Sequence, residues 1–423
     1  MNSSLYSLHS SLKKFTQGQE VFLYVFALCA FQLYSYVGFG KYMCKLPLLA
    51  IIPITVFVCR KTVFRTGMPQ LFNLMRWLWI VTFFSMFMAW MFRDQSVIFG
   101  YLVTASYLVF VFFFYLYQTR PPVEKLEALI LVFGFAYVIL WLYATTQLPA
   151  RVFGFKDEDI VDTSRGMERI NFVGRLSMIF AYFLAVNKSY DTRKKFFILI
   201  AAVLFVFIVL QLTRQLILWT GLVTIYYVWL KSKGTLITIA CVLIAIGLAG
   251  VSLIKFSDDS VVGSLINISE RQAESQASGE DDIRIVEYRY MFTEHNKNVA
   301  THLLGSGMAH GRSAYGKYVE RLNETRRIYF SDVGYGDMYA QTGLIGLLLY
   351  LFLYYKCLRV PLPQHLHYVK MFVLFLVFAN IAANWYAKVD GQIAMSICVY
   401  VMLFYRSAGK DVGLLSMFKD CKA

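Results

Sequence analysis

The chain has 423 residues, of which 58% are hydrophobic, 17% aromatic and only 16% charged. That balance excludes a disordered chain and an ordinary soluble domain, and places the sequence among polytopic membrane proteins. The formal net charge of +15 would suit a nucleic-acid binder, but its distribution along the chain assigns it to membrane topology.

Apolar runs long enough to cross a hydrocarbon core of roughly 30 Å as helices recur along the chain. In order they fall near 21–40, 46–59, 73–92, 96–117, 126–148, 171–186, 196–212, 215–230, 235–254, 338–355, 368–386 and 390–405. The pattern predicts an all-α polytopic integral membrane protein of about 12 transmembrane helices. The polar stretch 1–20 has no cleavable signal pattern, so the first span is expected to act as the insertion signal. With both termini cytoplasmic, the inner segments hold 21 Lys+Arg against 6 Asp+Glu, and the outer segments 20 against 20. Inner loops such as "RKTVFR" and "NKSYDTRKK" follow the positive-inside rule. Arginine is favoured outside and lysine inside. A planar guanidinium suits phosphate and carboxylate, whereas an ammonium suffices for orientation.

This reading divides the chain into three parts. Residues 1–255 form nine membrane helices with a smaller outer loop at 149–170. Residues 256–337 form a large outer loop, and 338–423 form the last three helices and a cytoplasmic tail. Within the large loop, "DDIRIVEYRYMFTEHNKNVATHLLGSG" places Ile285, Tyr288, Phe292, Val299 and Leu303 near helical spacing. Asp281 and Asp282 suit the start of this amphipathic helix and Gly305 its end.

Neither long outer loop contains cysteine, which argues against a disulfide framework or a thiolate metal site. "DED" at 157–159 reads as a solvated turn, and His295, His302 and His310 fit no zinc spacing. No metal and no cofactor is expected. Two constellations stand out instead. One is a set of arginines on the outer side: Arg151, Arg214 in the tight turn "LTRQL", Arg284 and Arg289. An interfacial arginine needs a partner and is a functional candidate by default; for Arg214 the ordinary partner would be lipid headgroups or Asp390. The other is the carboxylate pair Asp332 and Asp337, flanking Gly334-Tyr335-Gly336 at the start of the tenth span. Asp337 reads as a helix cap, whereas Asp332 lies too early to cap and is the candidate general base.

Four stretches, in this order, resemble the O-antigen polymerase and O-antigen ligase superfamily of bacterial envelope glycan assembly. "RVFGF...INFVGRLSMIF" is similar to its outer Arg-x-x-Gly loop, and "LTRQLILWTGL" to its Thr/Ser-Arg turn. Arg289, fifteen residues and Gly305 resemble the polymerases' Arg-x15-Gly pattern, and "SDVGYGDMYAQTGLIGLLLYL" resembles the closing element. Ligases carry a histidine eleven positions before the Gly of "GLIG", where this chain has Asp332, so polymerase is favoured over ligase. The resemblance implies a GT-C-like membrane glycosyltransferase in the bacterial inner membrane, its active site facing the periplasm. Donor and acceptor would be glycans on undecaprenyl diphosphate. Asp332 and Arg289 would be catalytic, and Arg214, Arg284 and Arg151 would bind the diphosphate. Tyr335, His310 and Asp337 would contact sugar or acceptor. Implied partners are membrane lipids and a chain-length regulator protein, with no nucleic acid. The alternatives are a ligase acting on lipid A core and, from another class, a lipid-linked glycan flippase or transporter.

Overall fold

The computed structural model describes residues 15–32, 46–147, 161–162, 169–170, 172–211, 213–232 and 283–420, with side chains as far as 405. The expected ninth span, Arg151, Asp281, Asp282 and the "DED" turn lie outside the described residues.

Among the described residues the long apolar runs are helical. The helices are α1 (Gln17–Phe31), α2 (Leu46–Val63), α3 (Gln70–Arg93), α4 (Val97–Thr104), α5 (Val111–Thr119) and α6 (Val123–Thr146). There follow α7 (Arg175–Thr192), α8 (Lys195–Leu210) and α9 (Arg214–Ser232). Within the large loop lie α10 (Ile283–Tyr290), α11 (Val299–Leu304) and α12 (Ala314–Arg326), and the chain closes with α13 (Gly334–Arg359), α14 (His367–Ala379) and α15 (Val389–Asp420). A two-residue antiparallel ladder, β1 (Val161–Asp162) with β2 (Arg169–Ile170), pairs Val161 with Ile170.

Among the described residues, α2, α3, α6 and α13 are each long and apolar enough to cross a membrane. A fifth candidate is the bent pair α4 and Tyr107–Thr119, which turns by 60° at the break. Helix α7 has a different character: every side chain from Arg175 to Asn187 is buried. It packs on α6, α8, α14 and α15, so it is surrounded by protein and needs no uniform apolar surface. One continuous core runs through the bundle, dense in aromatic rings; Phe26 stacks on Phe112 and Phe72 packs on Phe113 and Phe114.

The amphipathic helix expected up to Gly305 is interrupted. Helix α10 passes into a single π turn, Met291–His295, and Asn296 is extended. Asn298 then starts α11 with a reciprocal capping box to Thr301, and Gly305 ends it as anticipated. Helix α12 was not anticipated. Ser313 caps it by accepting the Gly316 N–H at 3.0 Å, and Tyr315 and Leu322 bury its inner face. Tyr290, Met291, Leu322, Ile328, Val333 and Ala340 form a small core of their own beneath the loop.

Candidate functional site

The large loop is fastened to the start of α13 by backbone. At Gly343 the helix takes φ +69°, ψ −173°, which breaks its hydrogen-bond ladder. The carbonyls of Ala340 and Gln341 accept instead from the N–H groups of Ser306 (2.8 Å) and Gly307 (3.0 Å). Gly305 lies in this contact at φ +80°, and a Cβ there would sit 2.1 Å from the Gln341 oxygen. A Cβ on Gly343 would sit 2.3 Å from the Leu303 oxygen. Glycine is required at both by backbone angle and by close approach. The glycines ending the two spacings, Arg289 to Gly305 and Asp332 to Gly343, therefore face each other.

Asp337 does not cap the helix from outside. Helix α13 starts at Gly334, so Asp337 falls inside the first turn and turns into the bundle. Its Oδ1 accepts from Gln341 Nε2 at 2.5 Å, and its Oδ2 from Asn384 Nδ2 at 3.0 Å and the Tyr386 hydroxyl at 3.2 Å. A buried carboxylate needs such donors. Here they come from one helical turn ahead and from the connection between α14 and α15.

That connection also carries Lys388. Burial holds its ammonium below the usual lysine range; Asp390 opposes this, Arg175 adds to it, and Asp337 opposes it. Asp390 accepts the N–H groups of Gly174 (3.1 Å) and Leu176 (2.7 Å) on one oxygen and that of Gly391 (3.1 Å) on the other. It thus caps the N-terminus of α7 from a different helix, satisfying donors that a helix start leaves open. Beside it Arg175 donates to Thr213 Oγ1 at 3.3 Å and to the Ile170 carbonyl at 3.4 Å, with its guanidinium 5.9 Å from the Trp385 ring. Thr213 immediately precedes Arg214, the half-buried first residue of α9. Three helix starts and one connection thereby gather Arg175, Arg214 and Lys388 at one end of the bundle.

The other expected residues lie around this centre. Asp332 ends a 3₁₀ turn, half-buried, and accepts from Ser331 Oγ at 2.9 Å. The Ser331 carbonyl in turn accepts the N–H of Asn384, the residue that holds Asp337. Arg284 and Arg289 are exposed on α10. Tyr335 turns inward: its hydroxyl donates to the Val377 carbonyl at 2.7 Å, which ties α13 to α14. His310 stacks on Phe99 with ring centres 4.4 Å apart, its Nδ1 accepting the Arg312 N–H. Among the described residues no group of three or more His, Cys, Asp or Glu is placed to hold a metal.

Three residues absent from the expected site take part in these contacts. Arg175 stands in the stretch "INFVGRLSMIF" and Lys388 counts among the outer charges, yet neither signals a partner in sequence. Arg93, the last residue of α3, donates to the His295 carbonyl at 2.5 Å and to Ser306 Oγ at 3.1 Å, and lies 5.1 Å from the Tyr315 ring. His295 is fully buried, its Nε2 3.0 Å from the Tyr315 hydroxyl. Burial first, then the Arg93 charge, lowers its pKa to about 3. Compared with known protein families and with curated proteins, the chain matches no family model and no characterised sequence.

Proposed function

We propose that the chain is a membrane glycosyltransferase that polymerises undecaprenyl-diphosphate-linked repeat units into O-antigen or a related surface polysaccharide. The observation that carries this reading is the gathering of Arg175, Arg214 and Lys388 at the bundle end where Asp332 stands half-exposed. Guanidinium and ammonium groups held in a partly desolvated site suit a diphosphate and stabilise its charge as it departs. The acceptor hydroxyl oxygen would attack the anomeric carbon of the donor while the bond from that carbon to the phosphate oxygen breaks. The hydroxyl proton would pass to Asp332, and the lipid diphosphate would leave with the bonding pair. Arg284 and Arg289, exposed on α10, would supply further cations for the substrate phosphates. Asp337 and Tyr335 enter as positioning residues, since their polar atoms are engaged within the bundle. The same proposal includes twelve spans in a GT-C-like arrangement in the bacterial inner membrane, with both termini cytoplasmic and a chain-length regulator as partner.

The test is the surface-glycan profile of a strain lacking this protein, complemented with wild type, Asp332→Asn or Arg175→Ala. A polymerase predicts loss of the long-chain ladder in the deletion, with core plus one repeat retained, and failure of both variants to restore it. Loss of even the single repeat would overturn the reading. Accumulated lipid-linked glycan on the outer leaflet would then indicate a ligase, and accumulation on the inner leaflet a flippase. The flippase has one observation in its favour, the fully buried carboxylate of Asp337 within a helix long enough to span.

A further inference from the structure

A lateral groove that none of these cations lines opens between α2, α3 and the bent pair α4 and Tyr107–Thr119. Two local features make room for it. Pro53 lies inside α2 on the groove wall, where it removes a backbone donor. Opposite, the chain bends between Thr104 and Tyr107, and Trp79 donates its indole N–H to the Leu108 carbonyl at 3.2 Å, closing the floor. The groove has a volume of about 410 Å³, within the range of ligand sites, and its lining includes Val56, Phe57, Phe83 and Tyr101.

One charged residue lines it. Arg60 stands in the last turn of α2, on the side where the inner loops carry their basic residues. It is exposed, its guanidinium is 4.2 Å from the Phe57 ring, and it donates to the Phe57 carbonyl at 3.5 Å. Among the described residues no carboxylate is paired with Arg60. From Pro53 to Arg60 the groove runs about 10 Å along the helix axis, so an apolar chain lying in it ends at a cation at the membrane boundary.

We infer that this groove is a binding site for an anionic glycerophospholipid of the inner leaflet, one acyl chain lying against Val56 and Phe57 and the headgroup phosphate on Arg60. Charge complementarity selects the occupant: an apolar slot with a single cation at its boundary matches a tail bearing an anionic head. The inference does not depend on the polymerase reading.

The full chain, purified in detergent and stripped of lipid, would be titrated with phosphatidylglycerol or phosphatidylcholine of identical acyl chains and followed by native mass spectrometry. Phosphatidylglycerol should be retained about fivefold more tightly, the effect expected of one basic residue near an anionic headgroup. Arg60→Gln should bring it to the phosphatidylcholine level, whereas Arg193→Gln, an exposed cation in another inner loop, should leave it unchanged. Val56→Phe should weaken both lipids by filling the slot. Equal retention of the two lipids by wild type would overturn the proposal, as would an equal loss with Arg193→Gln or no effect of Val56→Phe. Displacement of phosphatidylglycerol by undecaprenyl phosphate at equal concentration would also overturn it, assigning the groove to the carrier lipid.

Discussion

At Arg93 one guanidinium joins the end of α3 to two points of the large loop, the His295 carbonyl and Ser306 Oγ. The neutral His295 ring packs beneath it, between Tyr315 and Phe330. This arrangement has a pH dependence of definite sign. An unfolded histidine titrates near 6.5 and the folded one at about 3, so between those values the unfolded chain binds the additional proton. Stability from this residue is fully present above pH 6.5 and is lost as pH falls towards 3. Thermal unfolding of the detergent-solubilised protein should therefore show a steeper decline from pH 7 to pH 4 in wild type than in His295→Phe, which cannot titrate. Parallel curves would mean that His295 is not held neutral by its burial.

At the scale of elements, the junction of α11 with α13 rests on Gly305 and Gly343. Gly343→Ala should cost about 1–3 kcal/mol from its left-handed backbone alone, with further loss from the clash at the Leu303 oxygen. Gly221→Ala in α9 is the contrast, for a Cβ there meets nothing within 4 Å. It should be neutral or stabilise by up to about 1 kcal/mol. Comparable melting temperatures for the two variants would remove the argument for the glycine contact. These elements also show what a sequence conceals. The apolar half of α13 was legible, but its start was placed four residues late, because hydropathy records what faces lipid and Gly334–Asp337 is polar sequence buried against protein. The bend after Thr104 carries neither proline nor glycine, so the run near 96–117 reads as one span. Helix α12 was missed because its signal is a single serine cap and two buried side chains seven residues apart.

For the whole molecule, the sequence points to a shared end of the bundle and not to what joins the residues there. Charge counts put the large loop and the starts of the eighth and tenth spans on one side, and in the structure Arg175, Arg214, Asp337 and Lys388 lie at one end. What brings Arg175 to Asp390 and Lys388 is packing between helices more than 200 residues apart in sequence, which no local pattern encodes. The expected orientation rests on the same charges and can be tested separately from chemistry. The chain has 7 cysteines; with these replaced, single cysteines at Lys317 and Arg193 offer exposed probes at opposite ends. In intact cells a membrane-impermeant maleimide should label Lys317→Cys on α12 and leave Arg193→Cys unlabelled until the cells are lysed. Labelling of Arg193→Cys alone would invert the topology and put the cation cluster on the cytoplasmic side, where a flipped lipid-linked donor is not available. Labelling of Lys317→Cys alone would place Arg175, Arg214 and Lys388 on the same side as the glycan they are proposed to hold.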